Sequence, residues 1–133
     1  MTRYDKGANA ERELIKMLDS RGFAVLRVAG SGVNPLPCPD VVALLNGKII
    51  AFECKARKGA YLPIQKEQMD EEVSWAKKAG AIFVVAWKIP NKGWLFISPE
   101  IFHLAGKNYM LSLDNAKKHA IDLNVIIGQQ SML

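Results

Sequence analysis

The chain is expected to be an α/β protein, a central mixed β-sheet flanked by helices in the order αβββαββ. Three observations carry that expectation. Asn46-Gly47 stands between two apolar, β-branched runs, the strongest short-range signal of a two-residue hairpin. Two segments, 9–21 and 64–79, place apolar residues at helical spacing and run into glycine at Gly22 and Gly80. A third stretch, Ala81–Lys88, is apolar from Ala81 to Trp87, as a strand buried on both faces would be. With 133 residues, half of them hydrophobic, the chain is long enough to bury one core, and a single domain over 1–133 is expected.

In the helix near 9–21, Leu14, Ile15 and Leu18 form the apolar stripe. Glu11 precedes them by three, four and seven residues and so lies on that stripe. It is either a first-turn acid favoured by the helix dipole or a carboxylate aimed inward at something that pairs with it. Arg12 falls toward the polar side with Lys16 and Asp19. A strand is expected over Phe23–Ala29, with Phe23, Val25 and Arg27 on one face. The Gly- and Pro-rich stretch from Gly30 to Pro39, including Val33–Cys38, is expected to be an extended loop.

The hairpin from Pro39 to Lys55 organises the rest. With Asn46 and Gly47 as its loop, Leu45 faces Lys48, Val42 faces Ala51 and Asp40 faces Glu53. Directly opposed residues have Cβ atoms ~4.5–5.5 Å apart, close enough for like charges to destabilise the pair. Lys55 shares a face with Glu53 because strand side chains repeat every second residue. Two carboxylates and an ammonium are thus gathered at one end of the hairpin, a set of hard oxygen donors suited to Mg²⁺ or Mn²⁺. A salt-bridged sheet rim is the structural alternative.

Beyond the hairpin, Arg57 and Lys58 give the strand a basic exit. Met69, Val73 and Ala76 form the inner stripe of the helix at 64–79. Trp75 and Gln68, seven apart, share a neighbouring stripe that is either core or a contact with a second subunit. Pro90 to Gly93 is a turn and Trp94–Ile97 a returning strand. One helical turn is expected from Pro99 to Leu104, and a short helix or strand over 115–127.

Residues 1–66 hold 11 Lys/Arg against 6 Asp/Glu, and residues 67–133 hold 7 against 7. All of the net charge of +5 therefore sits in the half that carries the acidic cluster, which suits a phosphate-rich ligand. No run approaches the ~20 apolar residues of a membrane span, and the start M-T-R-Y-D-K-G-A lacks the apolar core of a secretory signal. No membrane partner is expected, and the cytoplasm is the expected compartment. Cys38 and Cys54 have neither metal-ligand nor redox spacing, as inert thiols in a reducing compartment would. His103 and His119 lie far from the acids, and no Gly-rich nucleotide loop is present.

P-D-(x₁₂)-E-C-K resembles the PD-(D/E)xK nuclease motif, with Pro39-Asp40 and Glu53-x-Lys55 matching position by position. K-G-A-N-A-E-R-E-L from Lys6 and G-F-A-V-L-R-V-A-G-S-G from Gly22 are similar to the archaeal Holliday junction resolvase (Hjc) family. The likeness continues through K-E-Q-M at 66–69 and G-W-L-F-I at 93–97. The resemblance implies a restriction-endonuclease-like core and a Mg²⁺-dependent homodimer (Mn²⁺ substituting) that nicks two opposing strands of four-way junction DNA. Carried onto matching positions, it makes Glu11, Asp40 and Glu53 metal-site and catalytic carboxylates, with the Cys54 backbone carbonyl as a further ligand and Lys55 as the catalytic lysine. Lys6, Arg12, Arg27, Ser31, Arg57 and Lys58 would contact DNA, and Trp75 with Met69 would lie at the dimer interface. Replication or recombination proteins are further partners to look for, and a nucleoid-associated location, in a cell or in the host cytoplasm of a virus, follows. Two alternatives stay open: a repair or restriction-type nuclease acting on duplex or flap DNA, and a non-catalytic junction-binding protein.

Overall fold

The computed structural model describes residues 2–28 and 36–126. Helix α1 spans Arg3–Ser20, beginning six residues before the segment that apolar spacing marks out. The earlier start comes from a capping box: Thr2 Oγ1 accepts from the Asp5 N–H at 3.1 Å, and Asp5 Oδ2 accepts from the Thr2 N–H at 3.1 Å. Gly22, with φ 91°, closes the helix where expected.

Strand β1 (Ala24–Arg27) pairs antiparallel with β2 (Val41–Leu45), which turns through Asn46-Gly47 into β3 (Lys48–Ala56). Asn46 and Gly47 have φ 50° and 83°, the pair of positive values that a type I′ turn requires. The observed partners Leu45↔Lys48, Val42↔Ala51 and Val41↔Phe52 are those the two-residue loop predicts. At Asp40 the ladder changes: its N–H donates to the Phe52 carbonyl at 3.0 Å. Strand β3 then pairs parallel with β5 (Ile82–Ile89), and β5 antiparallel with β6 (Gly93–Ile97). The five strands lie in the order β1-β2-β3-β5-β6.

A second sheet, absent from the expected αβββαββ order, corrects the reading of the remainder. Strand β4 (Tyr61–Gln65) occupies part of the segment assigned to a helix, and helix α2 begins only at Lys66 and ends at Ala79. Leu62 and Ile64 alternate inward, each 1% exposed. Pro63 is tolerated because β4 is the edge of a three-stranded sheet ordered β4-β8-β7, where a missing N–H need not cost a ladder bond. After a 3-10 turn at Pro99–Ile101 come β7 (His103–Ala105) and β8 (Asn108–Ser112), then helix α3 (Leu113–His119) and a helical turn at 123–126.

The large sheet separates two cores. Leu14 and Leu18 of α1 pack with Ile50, Phe52, Cys54 and Phe96 on one face. On the other, Met69 and Ala76 of α2 pack with Ala51, Val85, Trp87 and residues of the small sheet. Because β3 alternates, Cys54 turns toward the α1 layer while Glu53, its neighbour, turns toward α2.

Candidate active site

The mouth of the β2–β3 hairpin brings Asp40 near Glu53, but not as the directly opposed pair that the register predicts: the ladder ends at Val41↔Phe52, and the Asp40 N–H turns to the Phe52 carbonyl. Asp40 Oδ2 accepts from the Cys54 N–H at 2.9 Å, so a side chain holds the strand where the main-chain ladder has changed partners. The Glu53 charge bears directly on the Asp40 carboxyl. Lys55, two residues along the same face, places Nζ 3.3 Å from Glu53 Oε2 and still reaches solvent.

Two residues that strand reasoning missed complete the inner side. Gln68 Nε2 donates to Glu53 Oε2 at 2.6 Å. Glu72, one helical turn further on, lies against both Glu53 and Gln68 and is only 3% exposed. The signal for Glu72 was available: it follows Met69 by three residues and precedes Ala76 by four, so it lies on the apolar stripe of α2, as Glu11 does on α1. Glu53 Oε1 and Glu72 Oε1 are both buried with no hydrogen-bond partner.

This crowding raises every carboxyl in the cluster. Burial, then the neighbouring Glu53 charge, pushes Asp40 up to about 8, although the Cys54 N–H opposes the shift. Burial and the Glu72 charge push Glu53 up to about 7, and burial pushes Glu72 up to about 7. Lys55 favours the ionised form of all three, but one ammonium cannot neutralise three carboxylates. Burial also raises the Cys54 thiol, which fits the inert role expected of it.

Glu11 joins the cluster from the opposite layer. Its Oε1 accepts from Arg27 Nε at 2.8 Å, and it feels the charge of Asp40. Burial raises its carboxyl while the Arg27 hydrogen bond opposes that. Its inward aim is thus correct, with Arg27 as its partner, and Arg27 shares its face with Phe23 and Val25 as anticipated. Among the described residues, no group of three or more His, Cys, Asp or Glu side chains is arranged to hold a metal ion. The Asp40–Glu53 pair nevertheless fits a hard divalent cation: the donors are oxygens, the negative charge is in excess, and one buried Glu53 oxygen lacks any partner.

Lys6, Arg12, Arg57 and Lys58 are exposed. Arg12 donates to Asn9 Oδ1 at 3.3 Å and Arg57 Nε to the Tyr61 carbonyl at 3.1 Å. Ser31 and residues 33–35 of the loop lie outside the described residues. Trp75 is half-buried against the α2-side core, and Met69, 3% exposed, is inside that core; its side chain is already covered within one protomer.

A mixed sheet carrying an acid at one hairpin arm and acid-x-Lys on the other defines a restriction-endonuclease-like nuclease core. The fold is shared at a TM-score of 0.66 with a bacterial homing endonuclease, 14% identical over 98% of this chain and 95% of that one. It is shared more fully with the Holliday junction resolvase Hjc of Archaeoglobus fulgidus, at a TM-score of 0.81 and 34% identity over 90% of this chain and 97% of that one. By sequence, the crossover junction endodeoxyribonuclease Hjc of A. fulgidus is 40% identical over 106 residues, 80% of this chain and 78% of the relative. The Methanocaldococcus jannaschii Hjc is 36% identical over 98% of this chain and 93% of the relative. The model of the family described as archaeal Holliday junction resolvase (hjc) matches residues 2–132, and the chain belongs to that family.

Proposed function

We infer that the chain is a structure-selective endodeoxyribonuclease that resolves four-way DNA junctions by paired, symmetric nicks. The observation that carries this reading is the Asp40–Glu53–Lys55 constellation at the mouth of the β2–β3 hairpin, where Asp40 accepts from the Cys54 N–H and Lys55 pairs with Glu53. Asp40 and Glu53 would hold a divalent cation, Mg²⁺ with Mn²⁺ as a substitute, joined by the Cys54 carbonyl and by Glu11 once Arg27 turns to DNA. When bound, the cation supplies Lewis acidity toward a phosphodiester oxygen. Lys55, anchored on Glu53 yet open to solvent, offsets negative charge that develops on the phosphate. Gln68 fixes the Glu53 rotamer and so presents its unpartnered oxygen to the site.

Lys6, Arg12, Arg27, Ser31, Arg57 and Lys58 are assigned to the DNA backbone, in keeping with a basic N-terminal half. A single compact nuclease unit suits recognition of junction shape over base sequence. Two copies related by a two-fold axis would present two sites to two opposing strands, with Trp75 at the contact and Met69 supporting it from beneath. A cytoplasmic, nucleoid-associated setting agrees with such a substrate.

Cleavage of a four-way junction and of its component duplexes, mapped strand by strand in Mg²⁺, tests the assignment. Symmetric nicks in the junction alone are expected. Equal rates on duplex would favour a repair or restriction-type enzyme, and binding without cleavage a junction scaffold. Asp40→Asn is expected to abolish cleavage, a loss of at least 10²-fold, while junction binding survives; wild-type rates in saturating Mg²⁺ would overturn the mechanism.

A further inference from the structure

Glu72 is a carboxylate inside the protein, and among the described residues it is in none of the salt bridges. It is 3% exposed, and its Oε1 is buried without a partner. The groups facing it are Glu53, Gln68 and, at longer range, Asp40 and Lys55. A buried carboxylate that serves only packing is expensive, and an apolar residue of similar volume would cost less. Met69 and Ala76 on the same stripe show that this part of α2 otherwise packs apolar side chains into the core. A carboxylate kept here is explained if the negative charge is used by what the site binds.

Gln68 makes the connection specific. Its amide Nε2 donates to Glu53 Oε2 at 2.6 Å, and Glu72, four residues on along the same helix, bears on both Gln68 and Glu53. Glu53 is therefore gripped from α2 by a glutamine that stands one helical turn from the buried Glu72. We propose that Glu72 is a positioning residue for the divalent-cation site, a buried carboxylate on α2 that orients Gln68 and Glu53 and adds the negative charge that raises the affinity of Asp40 and Glu53 for the ion. Partners behind the ligands commonly govern metal affinity by 10–100-fold. The proposal rests on the nuclease reading and extends it to a residue that no strand motif contains.

The test titrates Mn²⁺ into the full-length, DNA-free protein by calorimetry, with Asp40→Asn as the control for the site. Glu72→Gln keeps the shape and removes the charge; Glu72→Met keeps the packing and removes the polar group. Both are expected to bind Mn²⁺ at least tenfold more weakly than the wild type, with chelator-treated melting temperatures at or above the wild-type value. Wild-type Mn²⁺ affinity in either variant, with or without a change in melting temperature, overturns the proposal and leaves Glu72 a packing residue. No Mn²⁺ binding by the wild type would instead overturn the cation reading beneath it, and the proposal with it. Binding by the wild type, none by Asp40→Asn and undiminished binding by Glu72→Gln would overturn Glu72 alone.

Discussion

Asp40 does two jobs with one carboxylate: it accepts from the Cys54 N–H and it stands against the Glu53 charge. Together with Glu53 and Glu72 it makes the metal-free protein sensitive to pH in a defined direction. These acids titrate at 3.8 to 4.5 by their ordinary values and at about 7 to 8 when folded. Between those limits the folded chain binds more protons than the unfolded one, so the stability their protonated forms contribute is lost as pH rises through the folded values. In chelator, the melting temperature is expected to be lower at pH 8.5 than at pH 5.5, and Mn²⁺ to narrow the gap, because a bound cation favours the ionised carboxylates. A melting temperature that rises over that interval in chelator would contradict the assignment of these acids as crowded around a single ammonium.

The hairpin is the element on which the site depends. Gly47 sits at φ 83°, a conformation that costs a β-branched residue about 1–3 kcal/mol. Gly47→Val is expected to destabilise the protein by that amount in a urea titration. Cleavage should fall further than the folded fraction does, since a one-residue slip would turn Glu53 toward the other core. This element was legible in the sequence because its signal is local: a two-residue turn between two β-branched runs fixes the cross-strand pairs from Leu45↔Lys48 to Val41↔Phe52, though not the change of partner at Asp40. The start of α1 was equally local, in Thr2 and Asp5, but short polar caps are easily passed over beside a stronger apolar repeat. Strands β4, β7 and β8 were not legible. They have three to five residues each, Pro63 argues against a strand by itself, and β4 finds its partner β8 about fifty residues away. Glu53 and Lys55 could be placed by their period of two, and Glu11 by its place on an apolar stripe. Gln68 and Glu72 approach Glu53 from a helix fifteen or more residues on, and only the packing of α2 against β3 brings them together.

At the scale of the molecule, one strand is the shared wall of two cores. Leu14, fully buried in the first, and Ile64, 1% exposed in the second, each stand to lose about 2–5 kcal/mol on substitution by alanine. Because α1 brings Glu11 and α2 brings Gln68 and Glu72, the four acids assemble only while both layers are seated. The site thus behaves as a coincidence detector for folding: it exists where two independent packings agree. Leu14→Ala and Ile64→Ala, on opposite faces and far apart in sequence, are expected to lower Mn²⁺ affinity at temperatures where far-ultraviolet circular dichroism still reports a folded chain. A resolvase built this way would fall silent before it unfolds, so a loosened copy would be unable to nick DNA.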